Sequence, residues 1–293
     1  MMARRLWTVA LAFGLTACAL GPPAPRYSDS SRVQQLHQLL PADAIVLGEQ
    51  HDAPDHQRVH RIVVEALASQ KALAALALEM ASQGQSTTGL LSDASEEAVR
   101  TALKWNNDGW PWAAYGPAIM AAVRAGVPVI GANLPRTELR SAMGDAALDL
   151  LLPGPALQVQ QQNIRTGHCD MLPENQVAPM ARIQIARDRA MAQTVAQAGQ
   201  PGKTVVLLAG AAHADRGLGV PLHMAATLKL KAVLMQADPF GDETHGAANF
   251  DAIWPAQAAP PVDYCAKFAV TRGAATTNST TPKQPGDDPA KTP

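Results

Sequence analysis

Short apolar runs recur along this chain, separated by stretches with helical periodicity. Ala44 to Leu47 is apolar and partly β-branched, and it stops at Gly48, just before Glu49 and His51. Ala74 to Met80 is a second such run, closing on the carboxylate of Glu79. Val127 to Asn133 is a third, its Pro128 marking the start of a strand rather than its middle. Lys203 to Gly210 is the clearest, and Ala211-Ala212-His213 follows it at once. Lys231 to Ala237 reads as a fifth strand, and Val262 to Val270 as an edge strand. The first of these runs has the length and β-branching of a buried strand.

The intervening stretches read as helices. One starts near Arg32; another begins at Pro54, with Asp52 as its N-cap, and runs to about Gln70. A helix capped by Asp93 or Ser95 reaches about Trp105, and one with Pro117 in its first turns ends at Gly126. Thr137 to Leu152, a segment from Gln158, Ala178 to Ala198, and His223 to Leu230 are also helical by pattern. Strand and helix in alternation predict an α/β fold with a parallel β-sheet flanked by helices. Ligands of such sheets bind beyond the carboxyl ends of the strands, where Glu49, His51, Glu79 and His213 are expected to gather.

Composition changes this picture mainly at the ends of the chain. Arg4 and Arg5 precede an apolar stretch, and Leu15-Thr16-Ala17-Cys18 matches a bacterial lipobox. Residues 1–17 are therefore expected to be a lipoprotein signal peptide, with Cys18 lipidated and residues 18–31, Pro-rich and polar, forming a tether. Ala19 after the cysteine favours the outer membrane of a Gram-negative bacterium, with the body of the protein in the periplasm. Residues 273–293 carry no apolar periodicity and are expected to be disordered. The net charge of −1 and the absence of a basic patch argue against a nucleic-acid partner. In an oxidising compartment Cys169 and Cys265 are expected to pair, with a thiolate ligand or a nucleophile as the rival readings. The loop so closed would contribute about 4–5 kcal/mol at most.

Three features carry candidate chemistry. Trp105, Trp110, Trp112 and Tyr115 cluster in a chain with only 4% aromatic residues, either as a core plug or as a wall for a flat ligand. On a helical wheel Arg187 falls on the stripe of Ile183, Ala190 and Thr194 while Asp188 points away, so Arg187 should be buried and in need of an anionic partner. His56 and His60 share a helix face, and the wheel places His56 nearer the apolar centre, making it the better neighbour of the site. Glu49, His51, Glu79 and His213 can hold a divalent metal that activates water, or act as general acid and base without one. They can equally support haem, with a Tyr or a His as axial ligand, Arg187 pairing with propionates and the tryptophans lining the macrocycle.

Leu47-Gly48-Glu49-x-His51, Glu79, Trp110-Pro111-Trp112-x-x-Tyr115, Cys169-Asp170-Met171-Leu172-Pro173, Gln184-x-x-Arg187-Asp188 and Ala209-Gly210-x-x-His213 together resemble the haem-binding ChaN family of bacterial lipoproteins. That family is similar in turn to Tiki-type metalloproteases, TraB proteins and erythromycin-esterase-like enzymes. The resemblance covers about residues 40–240. It implies one domain, residues 32–272, in which a parallel sheet carries an inserted helical subdomain (about 84–116 and 137–198). It further implies a haem or iron-uptake role, haem held between the subunits of a homodimer, and Glu49, His51, Glu79, Tyr115, Arg187 and His213 as cofactor-binding residues. A metal-dependent or general-base hydrolase using Glu49, His51, Glu79 and His213 stays open as the alternative.

Overall fold

The computed structural model describes residues 27–237, 246–257, 259 and 262–266. The signal peptide, Cys18, most of the tether and the C-terminal tail lie outside the described residues. Six strands form one sheet in the order β3-β2-β4-β1-β5-β6, every neighbouring pair parallel. They are β1 (Ala44–Glu49), β2 (Leu73–Ser82), β3 (Val129–Asn133), β4 (Thr204–Gly210), β5 (Leu230–Ala237) and β6 (Ala252–Ala256). Eight α-helices among the described residues flank it: α1 (Asp29–Leu39), α2 (Pro54–Ser69), α3 (Glu96–Ala102), α4 (Trp112–Arg124), α5 (Leu139–Gly144), α6 (Gly154–Gly167), α7 (Glu174–Ala198) and α8 (Ala211–Ala214).

The central strands are apolar at every position because both sheet faces are covered. Ile45, Leu47, Leu76, Leu78, Val206 and Leu208 pack toward α1, α2 and α4. The alternate residues, Ala44, Val46, Ala75, Ala77, Val205 and Leu207, pack against Met191, Ala192 and Val195 of α7. Small alanines on that face are matched by the bulk of the long helix. β4 lies between β2 and β1, so the ends of these three strands sit side by side and Glu49 is in register with Gly210. The strand order reverses direction around this central trio, which is where a parallel sheet opens a crevice.

Several local expectations are corrected. Among the described residues the strand beside β5 is Ala252–Ala256; of the strand expected at Val262 to Val270, residues 262–266 hold none and residues 267–270 lie outside the described residues. Pro255 is compatible with that place because an edge strand has one side free of ladder bonds. Thr137 to Leu152 is not one helix: a short 3-10 turn leads into α5, which ends at Gly144, and Asp145 then caps a separate 3-10 segment through Ala147 N–H. His223 to Leu230 is not helical; a 3-10 turn at Val220–His223 precedes an irregular link to β5. Residue Ala53, not Asp52, stands at the N-cap of α2 and makes no side-chain cap bond, while Asp52 accepts from the Gln50 amide. Cys169 and Cys265 are disulfide-bonded, their Cα atoms 5.6 Å apart. Cys169 and Asp170 both take left-handed φ, 58° and 54°, in the tight turn after α6.

Candidate functional site

Glu49 ends β1, and its carboxylate is buried beneath the β1–α2 turn. Three groups close on it. The Tyr115 hydroxyl donates to Oε1 at 2.6 Å, His51 Nδ1 lies 2.7 Å from the same oxygen, and His60 Nε2 lies 3.5 Å from Oε2. Glu79 lies two strands away, and the shared register of Leu78 and Leu47 with Leu208 brings it to the same edge as Glu49, just where β2 leaves its register with β3. Gly210 N–H donates to Glu79 Oε2 at 2.7 Å. His213 Nε2 is 3.5 Å from Glu79 Oε1, and His213 Nδ1 is 2.6 Å from Asp188 Oδ1. His51 Nε2, 3.9 Å from Glu79 Oε2, joins the two halves.

The result is a row in which acids and imidazoles alternate: His60, Glu49, His51, Glu79, His213, Asp188. Gly210 makes the row possible. A Cβ at that position would sit 3.0 Å from His51 Nε2 and 3.7 Å from Glu79 Oε2. The groups are strung along the strand ends rather than converging on one point. Among the described residues no cluster of three or more His, Cys, Asp or Glu is placed to hold a metal ion. The row thus gives no geometric support to the divalent-metal reading.

Burial and pairing set the charges. Burial opposes charge on Glu49, but His60, His51 and the Tyr115 hydroxyl outweigh it and hold the carboxyl below its ordinary range. Glu79 is likewise held down, mainly by His213 against the cost of burial. Burial resists a proton on His213, yet Asp188 and Glu79 on its two sides push its pKa up to about 10. Desolvation lifts Asp188 to about 6 despite His213, so at neutral pH the pair is carboxylate and imidazolium. Burial pushes the Tyr115 phenol up, with Glu49 reinforcing the shift.

His51 is the open member of the row, its side chain 39% exposed while Glu49 and Glu79 are sealed. Trp110 meets its ring edge-on at 4.8 Å. Trp110 in turn packs edge-on to Tyr115 at 5.9 Å, and Trp105 to Trp112 at 5.3 Å. The aromatic cluster is therefore partly core and partly the side wall beside His51. Tyr115 itself is buried, 1% exposed, with its hydroxyl committed to Glu49.

Two helical-wheel readings are overturned. Asp188 points inward and is 3% exposed, whereas Arg187 is only half-buried and forms no ion pair with Glu49 or Glu79 among the described residues. A wheel assumes one buried face, but α7 packs on the sheet and on α5 and α6 together, so residues around most of its circumference are covered. Arg187 Nε is buried with no hydrogen-bond partner. Likewise it is His60, not His56, that approaches Glu49. His56 Nδ1 instead accepts from Gln50 N–H at 2.9 Å and fixes the turn that carries His51.

That role has a pH consequence. Burial, aided by His60, pushes His56 from the ordinary 6.5 down to about 4. The unfolded chain therefore takes up this proton first, and the stability His56 supplies is complete above pH 6.5 and drains away as the pH falls toward 4. Urea unfolding at pH 7 and pH 4.5 should show a loss attributable to His56 of about 2–3 kcal/mol. His56→Gln should lose less than the wild type by that amount; equal losses in the two chains would refute the assignment.

The family model described as "Haem-binding uptake, Tiki superfamily, ChaN" matches residues 35–224. The chain belongs to this haem-binding ChaN family. The matched span runs from α1 to the turn after α8 and includes every member of the row. Among solved structures, that titled "Cofacial heme binding to ChaN of Campylobacter jejuni" is 25% identical, with a TM-score of 0.57, and covers 70% of this chain and 86% of that one. A structure of the type III effector HopBA1 is 14% identical, with a TM-score of 0.44, and covers 83% of this chain and 100% of that one. No curated protein matches. The ChaN-family assignment accords with the six-stranded parallel sheet. Asp188 and His60 are members of the row that the sequence did not single out as site residues. The alternation of Asp188 with Arg187 inside one motif was the available signal for the first.

Proposed function

We propose that this chain is a haem-binding protein of the uptake type and that it holds haem at the strand-end crevice, with His51 facing the ligand. The observation that carries the reading is the state of His51. Its Nδ1 is engaged by Glu49, itself fixed by Tyr115, while among the described residues its Nε2 makes no hydrogen bond and its ring is partly open. An imidazole tethered through one nitrogen to a carboxylate presents the other in a fixed direction, the arrangement that suits a metal-bearing cofactor. When bound, haem would supply the iron chemistry. The protein's own part is to orient His51, to wall it with Trp110 and to offer Arg187 to a propionate. Tyr115 acts through Glu49, because its hydroxyl is buried and already donated.

Support also comes from the family and from the Campylobacter jejuni ChaN structure, whose title describes cofacial haem binding. By that likeness a homodimer with haems face to face is part of the proposal. So is a lipid anchor at Cys18 that keeps the protein on the outer membrane, its body in the periplasm. Among the described residues no helix is long and apolar enough to cross a membrane. A hydrolase is less well supported: His213 is flanked by two carboxylates and carries a proton at neutral pH, so it is not a free base.

Titration of micromolar haem into the detergent-solubilised full-length chain should give a Soret band. His51→Ala should weaken binding at least tenfold, about 1.4 kcal/mol, and Tyr115→Phe by less. No spectral change in the wild type would overturn the proposal, and unaltered affinity in His51→Ala would remove His51 from it.

A further inference from the structure

After β6 the chain follows the start of α2 and then reaches the α6–α7 turn. Gln257 N–H donates to Asp55 Oδ2 at 2.9 Å, and Ala259 is buried in one cluster with Ala53 and Ala237. Tyr264 donates its hydroxyl to Asp52 Oδ2, while Asp52 Oδ1 accepts from the Gln50 amide at 3.0 Å. Gln50 and Asp52 are the two neighbours of His51. The residue after Tyr264 is Cys265, which is bonded to Cys169. Ala266 N–H donates to Asp263 Oδ1 at 2.8 Å and closes the short turn that carries both. Adjacent residues of one turn are thus fastened to two separate elements, the β1–α2 turn and the α6–α7 turn.

Each of those elements leads to a group at the strand-end crevice. The β1–α2 turn presents His51, and α7 brings in Asp188 and Arg187. The α6–α7 hairpin has a small core of its own, Ile164, Val177 and Ala181, separate from the two clusters that cover the sheet. A covalent link between residues 96 apart in sequence limits how far the hairpin end can move from the β1–α2 turn. Desolvation and the Asp52 carboxylate push the Tyr264 phenol up to about 12, so it stays a donor at neutral pH. Cys265 is exposed and Cys169 partly so, which leaves the bond open to thiolate attack; exposed disulfides are the labile class. Tyr264 and Cys265 also lie outside residues 35–224, the span that the family model matches.

We propose that residues 262–266 form a redox-fastened strap: with Cys169 and Cys265 joined, it ties the turn that carries His51 to the α6–α7 hairpin, and a dithiol reductant that opens the bond loosens both and speeds release of the ligand held at His51. The identity of that ligand rests on the haem reading above; the strap rests on the contacts of Gln257, Ala259, Tyr264 and Cys265. In the opening step one thiolate of the dithiol attacks Cys265 Sγ and displaces the Cys169 thiolate. Its second thiolate then displaces Cys265, so the dithiol leaves as a cyclic disulfide, and two electrons and two protons have passed to the protein as two thiols.

Three forms of the full-length chain test the strap: disulfide intact; reduced with dithiothreitol, capped with iodoacetamide and desalted; and Cys169→Ser/Cys265→Ser. Loss of the disulfide should raise amide hydrogen exchange about tenfold at residues 50–53 and at 165–171 together, with β1 and β4 unchanged. Bound haem should pass to excess apomyoglobin about fivefold faster. Tyr264→Phe, which keeps the disulfide, should loosen residues 50–53 alone and speed haem transfer by a smaller factor, and it carries the test should the serine chain fail to fold. Exchange that rises at 165–171 alone would make the disulfide a local staple and overturn the strap, as would equal haem transfer from the intact and reduced chains. A chain that binds no haem in any form would remove the haem reading, and exchange at residues 50–53 then decides the strap by itself.

Discussion

His213→Ala should destabilise the folded chain at pH 7 by about 3–5 kcal/mol, the cost of stranding buried charges that have lost their partner. The imidazolium is the counter-charge for two sealed carboxylates, Asp188 at 2.6 Å and Glu79 at 3.5 Å. Among the described residues, removing it leaves Asp188 with no ion-pair partner, the charge of Arg187 acting on it from farther off, and leaves Glu79 with Gly210 N–H and the more distant His51. A generic cavity effect would cost the same at every pH; this one would not. His213's folded pKa, about 10, lies above its ordinary 6.5. The stability it confers is therefore whole below pH 6.5 and is lost as the pH rises through 10. The gap between wild type and His213→Ala should accordingly be large at pH 7 and narrower at pH 10. Asp188→Asn combined with His213→Ala should recover part of the loss, since the stranded anion is then absent. Urea denaturation of the three chains at both pH values measures this, and a gap independent of pH would contradict the charge assignment.

The sheet was legible because its central strands are buried on both faces, so Ile45-Val46-Leu47 and Val205-Val206-Leu207 needed no periodicity to stand out. The same continuity located Glu49 and His213, which come where the apolar runs stop. β6 was not legible. A five-residue edge strand containing Pro255 lacks the apolar continuity of an inner strand. Asp188 escaped for another reason: the wheel of α7 presumes a single covered face, and this helix has several. His60 escaped because a helical wheel gives it only an angle, farther from the apolar centre than His56, whereas its contact with Glu49 depends on how deeply the β1 terminus lies under the helix. What a sequence reports is the covalent order of polar groups at strand ends. Which of them touch is decided by packing between elements far apart in that order.

Gly131→Ala tests how that packing places Glu79, and a melting temperature lowered by roughly 5–10 °C is expected. A Cβ at Gly131 would lie 2.1 Å from the Ser82 carbonyl oxygen and 2.8 Å from its carbon, so backbone and not a flexible side chain must give way. The close approach exists because the chain after β2 folds back over β3: Gly131 N–H donates to Gln85 O, Ser86 bridges Ile130, and the ladder loses register between Leu78 and Ser82. Glu79 sits inside that irregular span, with its own carbonyl held by Asn133 Nδ2 at 2.8 Å. Pushing Ser82 outward therefore drags on the segment that aims the Glu79 carboxylate at Gly210 N–H and His213. Loss of that aim should lower the His213 pKa below about 10, since one of its two flanking anions withdraws. Gly154→Ala, with no atom within 4 Å of the new methyl group, should leave both the melting temperature and His213 unchanged. A Gly131→Ala chain that melts lower but keeps the wild-type His213 titration by NMR would show that the bulge supports the fold without positioning Glu79.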